Sequence, residues 1–292
     1  MDLIYRYDPY QPLEPVRPAN SDAALKTLGD GNARFTALVS RMQRATLGET
    51  FDEPLVFPVS PLSLGLPLFA GGVLSQAPFA LVLGCSDARA PVEAIFDQAF
   101  NDLFTIRIAG NVLGTECLGS IDYAVRSFGE SLKLVVVLGH SGCGAVTAAV
   151  DTYLSPNDYA AIASTHALRS LVDRIQIAVR GASKALGRVT GSTAHTRPAY
   201  RTALLETAIY LNAAVTAFDL RREIRGLGKE NLQVVYGIYD LASLRIHSMP
   251  QSTQSLTAIA QPSFGKAPDH ADEFTELSTR LAQSAVDHGF LD

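Results

Sequence analysis

Apolar positions along this chain fall into two rhythms. Four short runs rich in apolar residues, at 79–83, 103–108, 134–138 and 232–236, predict strands, and the first and third are unbroken rather than alternating, which is the pattern of strands buried on both faces of a sheet. A fifth run, at 244–247, predicts a short antiparallel strand. Between the runs, apolar residues recur at spacings of three and four, the helical period. Asp22 offers an N-cap for a helix at 24–42, interrupted at Gly29-Asp30-Gly31-Asn32. Short helices are predicted at 91–100, with Pro91 in the first turn, and at 119–128, with Gly129 as a C′ glycine. A helix at 145–153 follows the third run. Two longer amphipathic helices carry Leu168, Leu171, Val172, Ile175 and Val179, then Leu204, Ala208, Leu211, Val215 and Phe218. A last helix covers 271–286. Strands alternating with helices imply parallel crossovers. The predicted fold class is therefore α/β, a mostly parallel sheet of four to five strands flanked by helices, with an N-terminal helical arm.

The segments between these elements set the organisation. Residues 1–20, with Pro12, Pro15 and Pro18, predict an irregular leader lying on another subunit. The stretch 54–74 is apolar for about the length of a membrane span. It carries Pro54, Pro58, Pro61 and Pro67 with Gly65, Gly71 and Gly72, which break a helix, so an extended arm and no membrane span is the expectation. The polar stretch 187–198 predicts a surface loop, and 250–266 a loose connector. This divides the chain into a leader, helix and arm at 1–75, a chemistry-bearing α/β domain at 76–250, and a connector with a C-terminal helix at 251–292.

Composition narrows the function. A hydrophobic share of 47% against 18% charged residues excludes wholesale disorder across the 292 residues. A net charge of −5 gives no electrostatic footprint for nucleic acid. Only three cysteines occur, which argues against a disulfide framework and for a reducing, cytoplasmic setting. The N-terminus lacks the basic and apolar regions of a signal peptide.

Two of those cysteines stand where chemistry is expected. Gly84-Cys85-Ser86-Asp87-Ala88-Arg89 follows the first run and Gly139-His140-Ser141-Gly142-Cys143-Gly144 the third, so both are loops at strand carboxyl ends, where sites form in open parallel sheets. Two thiols and an imidazole suit zinc better than magnesium or calcium, and three ligands leave one tetrahedral corner open, as in catalytic rather than structural zinc sites. A centre of two thiolates and a neutral imidazole has no net charge, so making a nucleophile from water near neutral pH needs help from outside its ligands. Asp87 is placed to accept a hydrogen bond and aim the nucleophile, and Arg89 to hold that carboxylate ionised and oriented.

The Cys-x-Asp-x-Arg and His-x-x-Cys pair resembles the β-class carbonic anhydrases of bacteria, and the resemblance extends over roughly 24–240, including Leu28 to Phe35 near the start. It implies one zinc ion per subunit held by Cys85, His140 and Cys143, the catalytic pair Asp87 and Arg89, and reversible hydration of carbon dioxide to bicarbonate and a proton. It also implies substrate-pocket roles for Gln76, Phe104, Tyr123 and Gly144, and a homodimer or higher even oligomer whose interface completes the pocket. Ala88 and Ala90 stand where the family commonly has Ser and Val, and Ile108 where many relatives have Asn. Carbonyl sulfide or carbon disulfide as substrate, and a non-catalytic zinc scaffold, are the alternatives. A nucleotide-binding domain is disfavoured by the absence of a Gly-x-Gly-x-x-Gly turn and a P-loop.

Overall fold

The computed structural model of the chain describes residues 2–8, 10, 17–58, 73, 75–251 and 262–292. Most of the arm at 54–74 and of the connector at 250–266 lies outside the described residues. In chain order the elements are β1 (Leu3–Arg6), α1 (Ser21–Thr46), β2 (Leu55–Pro58), β3 (Ala80–Gly84), α2 (Val92–Ile95), β4 (Leu103–Arg107), α3 (Thr115–Ser127), β5 (Leu134–His140) and α4 (Gly144–Leu154). There follow α5 (Tyr159–Ile162), α6 (His166–Thr190), α7 (Tyr200–Gly226), β6 (Gln233–Tyr239), β7 (Ile246–His247), β8 (Gly265–Lys266) and α8 (Ala271–Asp287).

The main sheet runs β4-β3-β5-β6-β7, with β8 also paired to β6. The first four strands in that order are parallel, while β7 and β8 lie antiparallel to β6. The expected α/β architecture is present; β8 is two residues long, too short to leave a periodic signal. Alternate residues of the continuous runs divide between two cores. Leu81, Leu83, Val135 and Val137 pack with Ile121, Val146, Ile175, Leu211 and Leu281 from the helices on one face. Ala80, Val82, Leu134, Val136 and Leu138 pack with Leu28, Ile95 and Phe96 of α1 and α2 on the other. Full burial of each such Leu, Ile or Val stabilises by about 1.5–3 kcal/mol relative to exposure.

Several local expectations are corrected. Helix α1 starts after Asn20, whose side chain accepts from the Ala23 N–H at 2.9 Å, and it runs unbroken through Gly29–Asn32. Gly31 is a contact point rather than a breaker: a Cβ there would lie 1.8 Å from the Phe96 carbonyl oxygen. Buried Asn32 next to it donates to the carbonyls of Ile95 and Leu244 at 3.1 and 3.0 Å, tying α1 to both ends of its core. The leader contains a strand, since β1 pairs in parallel with β2. Helix α3 begins at Thr115 and takes in Cys117, which is buried on the helix and not in a loop. Gly129 is not in the left-handed region; its need is space, as a Cβ would sit 2.7 Å from the Val125 carbonyl. Helix α6 continues to Thr190, into the stretch predicted as a loop.

Helix α7 is long and apolar enough to cross a membrane by composition, but 72% of its most apolar window is buried inside the protein. Its hydrophobicity is satisfied by the core.

Candidate metal centre

Strands β3 and β5 are neighbours in parallel register, Gly84 beside Leu138, so the loops that leave their carboxyl ends emerge side by side. Cys85 follows β3 directly, His140 closes β5, and Cys143 is the residue from which α4 starts. The turn between the last two requires Gly142, whose φ of +63° is the left-handed conformation that side chains resist. Register and turn together bring the ligand atoms of Cys85, His140 and Cys143 within 4.8 Å of one another, all three residues buried.

Those atoms fit a tetrahedral metal. The sulfurs of Cys85 and Cys143 are 4.0 Å apart, against the ~3.8 Å that two ~2.3 Å zinc–sulfur bonds at a tetrahedral angle require. His140 Nδ1 lies 2.9 Å from the carbonyl oxygen of Ser141, which can only accept, so Nδ1 carries the proton and Nε2 the free lone pair. That Nε2 is buried without a hydrogen-bond partner. A buried polar atom left unpaired is costly, and a cation between it and the two sulfurs removes the cost.

Electrostatics favour the same species. Cys85 is pushed down, first by the thiol of Cys143 donating to it, against burial, with the N–H groups of Asp87 and Gly110 adding to the shift. The Gly110 N–H points at Cys85 Sγ from 3.4 Å. Cys143 is pushed up by the same contact with Cys85 and by burial, although the Val146 and Ala145 N–H groups at the start of α4 pull it back. One proton is thus shared where two thiolates would repel; a divalent cation replaces it and lets both ionise.

Beside the cluster, Asp87 and Arg89 form a two-pronged ion pair. Arg89 Nε donates to Oδ1 at 2.9 Å and Nη2 to Oδ2 at 2.7 Å, while the Arg89 backbone N–H adds a third bond to Oδ1 at 2.9 Å. Arg89 holds the Asp87 carboxyl well below the usual carboxylate range. Asp87 Oδ2 is 3.8 Å from His140 Nε2, so the carboxylate faces the point where the ligand atoms converge.

One residue in this assembly was not singled out from the sequence. Arg107, the last residue of β4, donates from Nε to the Cys85 carbonyl at 2.9 Å and from Nη2 to the Asp87 carbonyl at 2.5 Å. It clamps the backbone on both sides of Ser86. The signal was a charge closing an apolar run, on the strand paired beside β3 with Arg107 in register with Gly84.

The proposed pocket residues are placed less centrally. Gly144 follows Cys143 with open space where a Cβ would lie. Phe104 and Tyr123 pack on each other and on Phe128, with ring centroids 5.6–6.3 Å apart. Gln76 is exposed ahead of β3. Among the described residues, no hydrogen bond of the cluster involves Gln76, Phe104 or Tyr123. The apolar Ile108 keeps a backbone role, donating its N–H to the Gly84 carbonyl at 3.0 Å.

Fold and site define a class: an α/β protein with a three-ligand soft-metal cluster and a tethered carboxylate at the carboxyl ends of adjacent parallel strands. The family model described as "Carbonic anhydrase" matches residues 80–245, more than half of the chain. A carbonic anhydrase of Mycolicibacterium smegmatis is 39% identical over 157 residues, covering 54% of this chain and 64% of the relative. Carbonic anhydrase 2 of Mycobacterium tuberculosis is 40% identical over 131 residues, covering 45% and 53%. The match therefore spans somewhat more than half the length of each of these relatives. Among solved structures, the β-carbonic anhydrase CafA of Aspergillus fumigatus aligns with TM-score 0.46 and 20% identity, over 71% of this chain and 84% of its own, too loose a likeness to add to the assignment. The chain belongs to the carbonic anhydrase family, in its β class.

Proposed function

We propose that this protein catalyses the reversible hydration of carbon dioxide to bicarbonate and a proton, with one zinc ion held by Cys85, His140 and Cys143. The observation that carries the reading is the convergence of two sulfurs and an orphaned imidazole nitrogen on a point that a tethered carboxylate also faces. Bound there, zinc would supply a Lewis acid that makes water nucleophilic near neutral pH.

The chain's own groups do the rest. Asp87, kept ionised by Arg89, is an acceptor only, so it takes a hydrogen bond from the nucleophile and leaves a lone pair directed at the substrate carbon. Arg89 fixes both carboxylate oxygens, so the acceptor does not rotate. Gly144 leaves room beside Cys143 for a small linear substrate. Phe104 and Tyr123 give apolar walls, and Gln76 a donor, once a second subunit covers the β4 edge. A homodimer is supported by that sheet edge, unpaired among the described residues, together with the exposed rings of Phe100 and Tyr123, 57% and 55% accessible. The three cysteines, all free, suit a reducing cytoplasm.

Stopped-flow hydration of carbon dioxide on zinc-loaded protein tests the proposal. Asp87→Ala should lower the rate constant by about 10²-fold or more while retaining zinc. A wild-type chain with full zinc and no hydration activity would sink the reading in favour of a zinc scaffold.

A further inference from the structure

Helices α6, α7 and α8, together with Val112 and Leu113, line a half-open cavity of about 490 Å³, within the ~300–1,000 Å³ range of small-molecule sites. Its body is apolar: Leu211, Val215 and Phe218 from α7, and Phe274 from α8. Its rim is not. Arg174, Lys184 and Arg188 line it from α6, against one carboxylate, Asp219. Among the described residues, none of those three cations is engaged in an ion pair. This excess of positive charge stands out in a chain whose net charge is −5. Ile177 is 64% exposed, an apolar side chain held at the mouth between cations.

An apolar body under a cationic rim selects an amphipathic anion. Hydrocarbon in the cavity gains by leaving water, while a head group at the rim keeps partial solvation and meets charges that have no partner of their own. A wholly apolar ligand forgoes the rim, and a cationic amphiphile is repelled by it. A phosphate-type anion alone would leave the apolar body unfilled.

We propose that this cavity is a binding site for an amphipathic carboxylate of the fatty-acid class, its chain between α6, α7 and α8 and its head group at Lys184 and Arg188, which lie one turn apart on α6. The cavity shares no residue with the metal cluster, although Asn212 in its wall donates to the Gly110 carbonyl at 2.9 Å, and the proposal does not depend on the reaction proposed there.

Titration calorimetry of the full zinc-loaded chain with sodium decanoate, below its micelle concentration, tests this. Saturable binding of one decanoate per chain is expected, with affinity falling roughly three- to fourfold for each methylene removed towards hexanoate. Decyltrimethylammonium should not compete. Lys184→Glu with Arg188→Glu should weaken decanoate at least tenfold, and Ile177→Glu should do so independently, with thermal melting confirming that each variant folds. Binding that is non-saturable, insensitive to chain length, or unchanged in both variants would overturn the proposal. So would a sedimentation coefficient that drops in Ile177→Glu in the absence of decanoate, because the cavity would then be a contact between copies of the chain.

Discussion

The loop after β5 and the loop after β3 meet at one cluster but are held by different means. His140 and Cys143 are 1% and 2% exposed, and their loop is fixed through backbone: the Ser141 N–H donates to the Tyr239 carbonyl at 3.0 Å, and the Leu241 N–H donates to Ser141 Oγ at 2.9 Å. Cys143 then leads straight into α4. In the loop after β3, the side chains of Asp87 and Arg89 are 18% and 61% exposed, and they are held by each other and by the Arg107 clamp. Two of the three candidate metal ligands thus sit on a loop fixed by α4 and by hydrogen bonds to the Tyr239–Leu241 segment, whereas the carboxylate rests on a surface loop set by two arginines. The two jobs should be separable by mutation.

The largest effect is expected on the buried side. Cys143→Ser or His140→Ala should reduce zinc from one ion per chain to a trace, measured by atomic emission after gel filtration, and hydration activity should go with it. Arg107→Met comes next. Releasing the Cys85 and Asp87 carbonyls should cost about 10–100-fold in hydration activity, the usual range for groups that orient ligands, with zinc largely retained. If Arg107→Met emptied the site as thoroughly as Cys143→Ser, the loops would not differ in the way described.

The smallest effect concerns the support beneath the β5 loop. Glu206, half-buried on α7, is pushed up to about 7, first by burial and then by Asp240, the residue before Leu241. An unfolded Glu titrates near ~4.3, so between that pH and about 7 the folded chain binds the extra proton, and stability falls as pH rises through that window. Above it the penalty is constant. Glu206→Gln should therefore melt higher than wild type at pH 8, by on the order of 1–3 kcal/mol, and the gap should close near pH 4. An equal gap at both pH values would show that the carboxylate charge is not the cause.

The two central strands were legible for one reason: β3 and β5, buried on both faces, write themselves as unbroken apolar runs, and the candidate ligands begin where those runs stop. Cys85 and His140 could be placed at strand carboxyl ends from that alone, while the pairing that makes those strands neighbours is seen only in the fold. What escaped depends on partners distant in sequence. Gly31 and Asn32 read as a helix break because their contacts, Phe96, Ile95 and Leu244, lie on other elements. Cys117 falls outside the helix expected at 119–128 because α3 opens with Thr115 and Glu116, polar residues that carry no apolar period. Arg107 drew no notice inside the 103–108 run, and only the pairing of β4 with β3 gives it two carbonyls to hold. The cation-rimmed cavity needs three helices at once, so no single stretch announces it.

The central claim is that one metal is gripped by both loops at once, and zinc-edge X-ray absorption of the purified protein tests it most directly. The account predicts two sulfur neighbours at ~2.3 Å and one imidazole nitrogen at ~2.0–2.1 Å, with a single further light-atom ligand. A shell of oxygen and nitrogen alone, or of four sulfurs drawn from more than one chain, would contradict it.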